Sequence, residues 1–161
     1  MNEAAPRRYA AVVGPSRPDE AIAALAEEVG RGLAAEGFTV VTGGLGGAME
    51  AASRGAHEQG GTVVGVLPDE DRSRANAYAD VTVATGVGNA RNLSVVASAD
   101  VVVAVGGEWG TLSEIAMAGV LRRPVISLQG WRLEHSGGLP GEVHYADGAA
   151  EAVQLAVQLA R

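Results

Sequence analysis

Apolar runs of about five residues alternate with longer stretches of helical period along the chain. Residues 9–13 form a buried-strand pattern that stops at Gly14-Pro15-Ser16. A helix is predicted over 18–36, with Ile22, Leu25, Val29 and Leu33 on one face. Ser16 and Asp19 have capping-box-like spacing at its start, and Gly37 stops it. Residues 38–42 are a second strand, which runs into Gly43-Gly44-Leu45-Gly46-Gly47 and a helix to about 59. Strands follow at 62–67 and 81–84, separated by an aperiodic polar loop at 69–79. A helix near 90–98 leads to the β-branched run 101–105, then Gly106-Gly107-Glu108-Trp109-Gly110-Thr111 and a helix to about 121. Strand 124–128, an irregular loop at 129–141, a short strand at 143–145 and a helix at 148–160 complete the pattern. Gln154, Gln158 and Arg161 form the polar stripe of that last helix. Strands apolar on both faces, alternating with helices, predict an α/β fold: one doubly wound, mostly parallel sheet with helices on both faces.

Composition narrows the chemistry. The 161 residues fit one domain over 9–161, preceded by a polar, flexible segment at 1–8. No apolar stretch is long enough to cross a bilayer, and the N-terminus lacks a signal-peptide layout, so a cytoplasmic location is expected. The net charge is −7 and the basic residues form no stripe, which argues against nucleic acid as a partner. Without cysteine there is no disulfide and no thiolate chemistry. All 12 basic residues are arginine. A pyridoxal-phosphate Schiff base and a Walker A lysine are therefore both excluded. His57, His135 and His144 lack metal-ligand spacing, and no metal site is expected.

The glycine loops carry the candidate chemistry. Ligands of open α/β sheets sit outside the C-terminal strand ends. Three such ends hold Gly14 and Ser16, then Gly43, Gly44, Gly46 and Gly47, then Gly106, Gly107, Gly110 and Thr111. Glycine lets the backbone approach an anion, and N–H groups at the next helix start face it. A phosphorylated, nucleotide-like small molecule is the expected ligand. A nicotinamide fingerprint fails, because Met49 stands where the third glycine of Gly44-x-Gly46-x-x-Gly should be. Thr111-Leu112-Ser113-Glu114 has two readings: a capping box, or a carboxylate beside the ligand's sugar. Arg91, followed by Asn92, opens a helix against its dipole; either an anionic ligand or Glu114 compensates it, or it is a solvated or structurally paired arginine. Trp109 either stacks on a planar ring of the ligand or packs on a neighbouring loop.

The helix over 112–121 has almost no polar face. One side meets the sheet; the other is covered either within the subunit or by a second copy, giving a homodimer or homotetramer.

The set Val41-Thr42-Gly43-Gly44, Gly47-x-Met49, Val64-Gly65-Val66-Leu67-Pro68, Ala90-Arg91-Asn92 and Gly106-Gly107-x-x-Gly110-Thr111-x-x-Glu114 resembles the molybdenum cofactor carrier proteins. These belong to the wider Lonely Guy (LOG) and DprA-like superfamily of Rossmann-like domains. The resemblance implies a binding protein for a phosphorylated pterin, the molybdenum cofactor, or a nucleoside monophosphate. The LOG branch implies the alternative: a phosphoribohydrolase that releases the base from nucleoside 5′-monophosphates, with Arg91 and Glu114 catalytic. Lysine decarboxylase, a label common in the superfamily, does not fit a chain without lysine. The second loop is one residue longer than the enzymes' loop, and Val105 replaces the proline before it. The segment around Arg91 also lacks the enzymes' lysine and histidine. These departures lean toward the carrier branch.

Overall fold

The computed structural model describes residues 7–138, 141 and 143–160. Among these residues seven strands form one parallel sheet: β1 (Arg8–Val13), β2 (Phe38–Thr42), β3 (Val63–Leu67), β4 (Val81–Ala84), β5 (Val101–Val105), β6 (Val125–Leu128) and β7 (Val143–Ala146). Their order is β4-β3-β2-β1-β5-β6-β7. The chain winds outward from β1 to β4, returns to the other side of β1, and winds outward again. In register, Ala10 to Val13 face Val101 to Ala104 of β5, and Arg8 to Ala11 face Phe38 to Val41 of β2.

The helices are α1 (Glu20–Ala35), α2 (Ala48–Glu58), α3 (Arg91–Ala97), α4 (Trp109–Val120) and α5 (Ala149–Leu159). The central strands are buried on both sides and sort their side chains with period two. Ala10, Val12, Val101, Val103 and Val105 join the core under α1, α2 and α5. Ala11, Val13, Val102 and Ala104 join the core under α3 and α4. Among the described residues no helix is long and apolar enough to cross a membrane.

Several local expectations change. Asp19 alone caps α1, its carboxylate accepting from the Ile22 amide at 2.8 Å, while Ser16 stays in the preceding loop. Arg8 belongs to β1 and not to a flexible segment: its guanidinium lies 4.4 Å from the Phe38 ring centroid and donates to the Glu36 carbonyl. The aperiodic stretch at 69–79 contains a single 3₁₀ turn (Arg72–Arg74), capped by the Asp71 side chain. Asn76 ties this stretch to the second strand's loop, donating from its amide to the Gly44 carbonyl and from Nδ2 to the Leu45 carbonyl. The proposed stripe residue Arg161 and residues 1–6 lie outside the described residues.

α1 and α2 cross closely because glycines line the contact. A Cβ at Gly55 would collide with the Glu27 carbonyl, and one at Gly30 with the Ala52 carbonyl. Glu27, Arg31, Arg54 and Glu58 form an ion-pair cluster beside the crossing. Alanine is the better helix former by about 1 kcal/mol, yet here the clash dominates. Gly55→Ala is expected to destabilise the fold by roughly 1–3 kcal/mol in urea unfolding.

Candidate functional site

β1 and β5 are neighbours, but the chain leaves them toward opposite faces of the sheet: α1 follows β1 on one side, α4 follows β5 on the other. Their C-terminal ends therefore border an uncovered crevice, where open α/β sheets bind ligands. A cavity of about 170 Å³ occupies it.

Of the expected site residues, Gly14, Ser16, Gly43, Met49, Arg91, Asn92, Gly110, Thr111 and Glu114 line this cavity together. Asn89 and Glu108 line it as well, and the sequence pattern alone does not single them out. Asn89's signal is its place two residues before Arg91; Glu108's is its place inside the second glycine loop. At Gly43 a Cβ would fall 2.5 Å from Met49 Sδ and 2.6 Å from Arg91 Nη2, so a larger residue there would displace two side chains that line the cavity.

The remaining glycines take other positions. Gly44 turns toward β3, its amide donating to Thr42 Oγ1, and a Cβ would meet Leu67 Cδ2 at 2.8 Å. Gly46 is exposed on the outer edge of its loop. Gly47 begins α2 beneath the Pro15 and Ser16 carbonyls, next to the bond from the Ala48 amide to the Pro15 carbonyl. These three shape the loop that presents Gly43 and Met49. Gly106 and Gly107 line a separate open cleft of about 610 Å³, beside Arg17 of the loop before α1 and Ile22 and Leu25 of α1. Trp109 stands outside the cavity, 77% exposed, between the lining residues Glu108 and Gly110.

α4 begins at Trp109, with Glu108 in the N-cap position. Thr111 is thus inside the first turn and caps nothing, so the capping-box reading of Thr111 and Glu114 does not hold. Its hydroxyl is buried without a hydrogen-bond partner among the described residues. Arg91 opens α3 and is only 7% exposed. Its Nη1 donates to Asn92 Oδ1 and its Nη2 approaches Met49 Sδ at 3.8 Å, while Nε has no partner among the described residues. Buried polar atoms are nearly always hydrogen-bonded. Here two unpartnered groups able to donate, one of them cationic, belong to residues that line this one cavity.

Glu114 faces the same cavity and is 7% exposed. Burial pushes its pKa up to about 8, and the Arg91 charge opposes this only in part. Burial likewise lowers the Arg91 pKa, opposed by Glu114 and by Asp69. An arginine starts from so high a pKa that it stays charged. Near neutral pH the lining therefore combines a guanidinium with a mostly protonated carboxyl group.

Known proteins share this arrangement of chain. A protein of Archaeoglobus fulgidus, itself uncharacterized, is 42% identical over 118 residues, covering 73% of this chain and 78% of that protein. The molybdenum cofactor binding protein of Rippkaea orientalis superposes with a TM-score of 0.89 at 32% identity, covering 96% of this chain and 98% of that one. The molybdenum cofactor carrier protein of Chlamydomonas reinhardtii gives 0.87 at 33% identity, with the same coverage. The sequence profile of the SLOG cluster4 family matches residues 7–156, nearly the whole described chain, and the protein belongs to that family.

Proposed function

We propose that the protein binds a small phosphorylated heteroaromatic molecule of the molybdenum cofactor type, with its phosphate in the Arg91–Thr111 cavity. The carrying observation is the pair of buried atoms without a partner among the described residues, Arg91 Nε and Thr111 Oγ1, in two residues that line one cavity. A phosphate offers acceptors to both and neutralises the guanidinium. The first turn of α4 lies at the same cavity through Gly110 and Thr111, so the positive end of the helix dipole adds to the attraction. A protonated Glu114 contributes no repulsion and donates a hydrogen bond. The cofactor is cargo in this reading, carried in the cytoplasm, and the cofactor binding and carrying of the Rippkaea and Chlamydomonas proteins support it. The exposed outer side of α3 and α4, with Leu93 and Val120, is the surface we assign to self-association.

Arg91→Ala should weaken binding of AMP or GMP on the order of 30-fold, the equivalent of about 2 kcal/mol for a buried charged hydrogen bond. Titration calorimetry checks this, and unchanged affinity would remove the phosphate from the cavity. Prolonged incubation with AMP should leave the glycosidic bond intact. Release of free adenine that Glu114→Gln abolishes would replace the carrier reading with the hydrolase.

The raised Glu114 pKa has a definite sign for stability. Its folded value, about 8, lies above the ordinary 4.5. Its contribution is therefore complete below about pH 4.5, declines as the pH rises toward 8, and is constant above. Glu114→Gln mimics the protonated acid. Thermal unfolding of the ligand-free variant should match wild type near pH 4.5 and exceed it by several degrees at about pH 8.5. Parallel curves across that range would mean that Glu114 titrates normally.

Val120→Asp should reduce the molecular mass of the particle in sedimentation if the outer face of α4 joins two copies. An unchanged mass in the wild type and variant would place the contact elsewhere.

A further inference from the structure

The cavity of about 170 Å³ is smaller than the roughly 300 Å³ at which sites begin to enclose a drug-sized ligand. A phosphate and part of a sugar fill it, so a ring attached to them must lie outside, on the rim. The rim beside Glu108 and Gly110 carries Trp109, and against Trp109 stands Trp131 from the loop after β6. The two ring centroids are 5.5 Å apart with planes inclined at 44°. These are the only tryptophans in the chain.

Trp131 is fixed from below. Its indole Nε1 donates to the Glu108 carbonyl at 3.2 Å, and its own carbonyl accepts from Ser127 Oγ at 2.7 Å. The indole lies directly on Gly107, where a Cβ would fall 2.5 Å from Cδ1 and 2.6 Å from Nε1. Gly107, which does not line the cavity, thus has a role of its own, since it lets an indole seat itself on the loop. Trp109 leans on this seated ring and remains 77% exposed. An indole so placed leaves a large apolar face in water, on a residue whose two chain neighbours, Glu108 and Gly110, line the polar cavity.

We infer that Trp109 and Trp131 form a stacking shelf that takes the flat heteroaromatic ring of the ligand whose phosphate occupies the Arg91 cavity. Trp109 supplies the contacting face, and Trp131 is the positioning residue that holds it upright. The inference rests on the phosphate placement proposed above. An indole face accepts any flat π-system, so the shelf recognises a pterin or a purine by shape, while the cavity recognises the phosphate by charge.

Ribose 5-phosphate and GMP separate the two parts, since they share the sugar phosphate and differ in the ring. Wild-type protein should bind GMP on the order of 10-fold or more tightly than ribose 5-phosphate, the usual scale for one stacked base. GMP should quench the tryptophan emission and ribose 5-phosphate should not. Trp109→Ala, at an exposed position, should bring GMP down to the affinity of ribose 5-phosphate and leave the latter unchanged. Trp109→Phe should retain most of the difference. Trp131→Ala should lower GMP affinity while Trp109 is still present. Equal wild-type affinities for the two compounds, or a GMP affinity that survives Trp109→Ala, would overturn the shelf while leaving the phosphate cavity standing. The latter outcome would move the ring to the open cleft beside Ile22 and Leu25. Failure of the wild type to bind either compound would overturn the phosphate placement and the shelf together.

Discussion

Parallel strands leave their C-terminal ends along one edge of the sheet, and helices normally cover the flanks. At β1 the winding reverses, so α1 and α4 depart to opposite faces and the ends of β1 and β5 have no helix between them. Everything at the site follows from that opening. Gly14 ends β1 there, Thr111 and Glu114 arrive on α4, and Arg91 arrives on α3 as the chain crosses back from the far edge strand β4. No two of these elements are adjacent in sequence. Only the reversal brings them to one cavity.

Burying a guanidinium costs several kcal/mol unless an opposite charge and hydrogen bonds offset it. The fold supplies Arg91 with Asn92 and Met49 and leaves Nε unserved. Glu114 faces the same cavity, yet its own burial drives it toward the neutral form. The protein's own groups are therefore an incomplete electrostatic arrangement, and the proposed phosphate would complete it. In that reading the energy gained would be binding energy, since the sheet and the α1–α2 packing hold the residues in place beforehand.

Much of the fold was legible because strands buried on both sides must be short and apolar throughout, as residues 101–105 are. The reversal itself was less so, since strand order depends on which edges meet. The site was legible in its chemistry and blurred in its geometry. Thr111 read equally as a cap, because that depends on where α4 begins; a Trp-Gly pair resembles a loop, and the helix nevertheless starts there. Composition does not separate a glycine that faces a cavity, such as Gly43, from one that clears a neighbour, such as Gly44 or Gly107. Trp131 gave no signal because a whole helix and strand separate it from the glycine loop along the chain. β5 and β6 are adjacent and parallel, which puts their following loops side by side.

The seat of the phosphate is tested most directly by a crystal structure with ribose 5-phosphate. Phosphate oxygens are expected within hydrogen-bonding distance of Arg91 Nε and Thr111 Oγ1. A phosphate bound instead in the open cleft beside Arg17, with those two atoms still unpartnered, would contradict this placement.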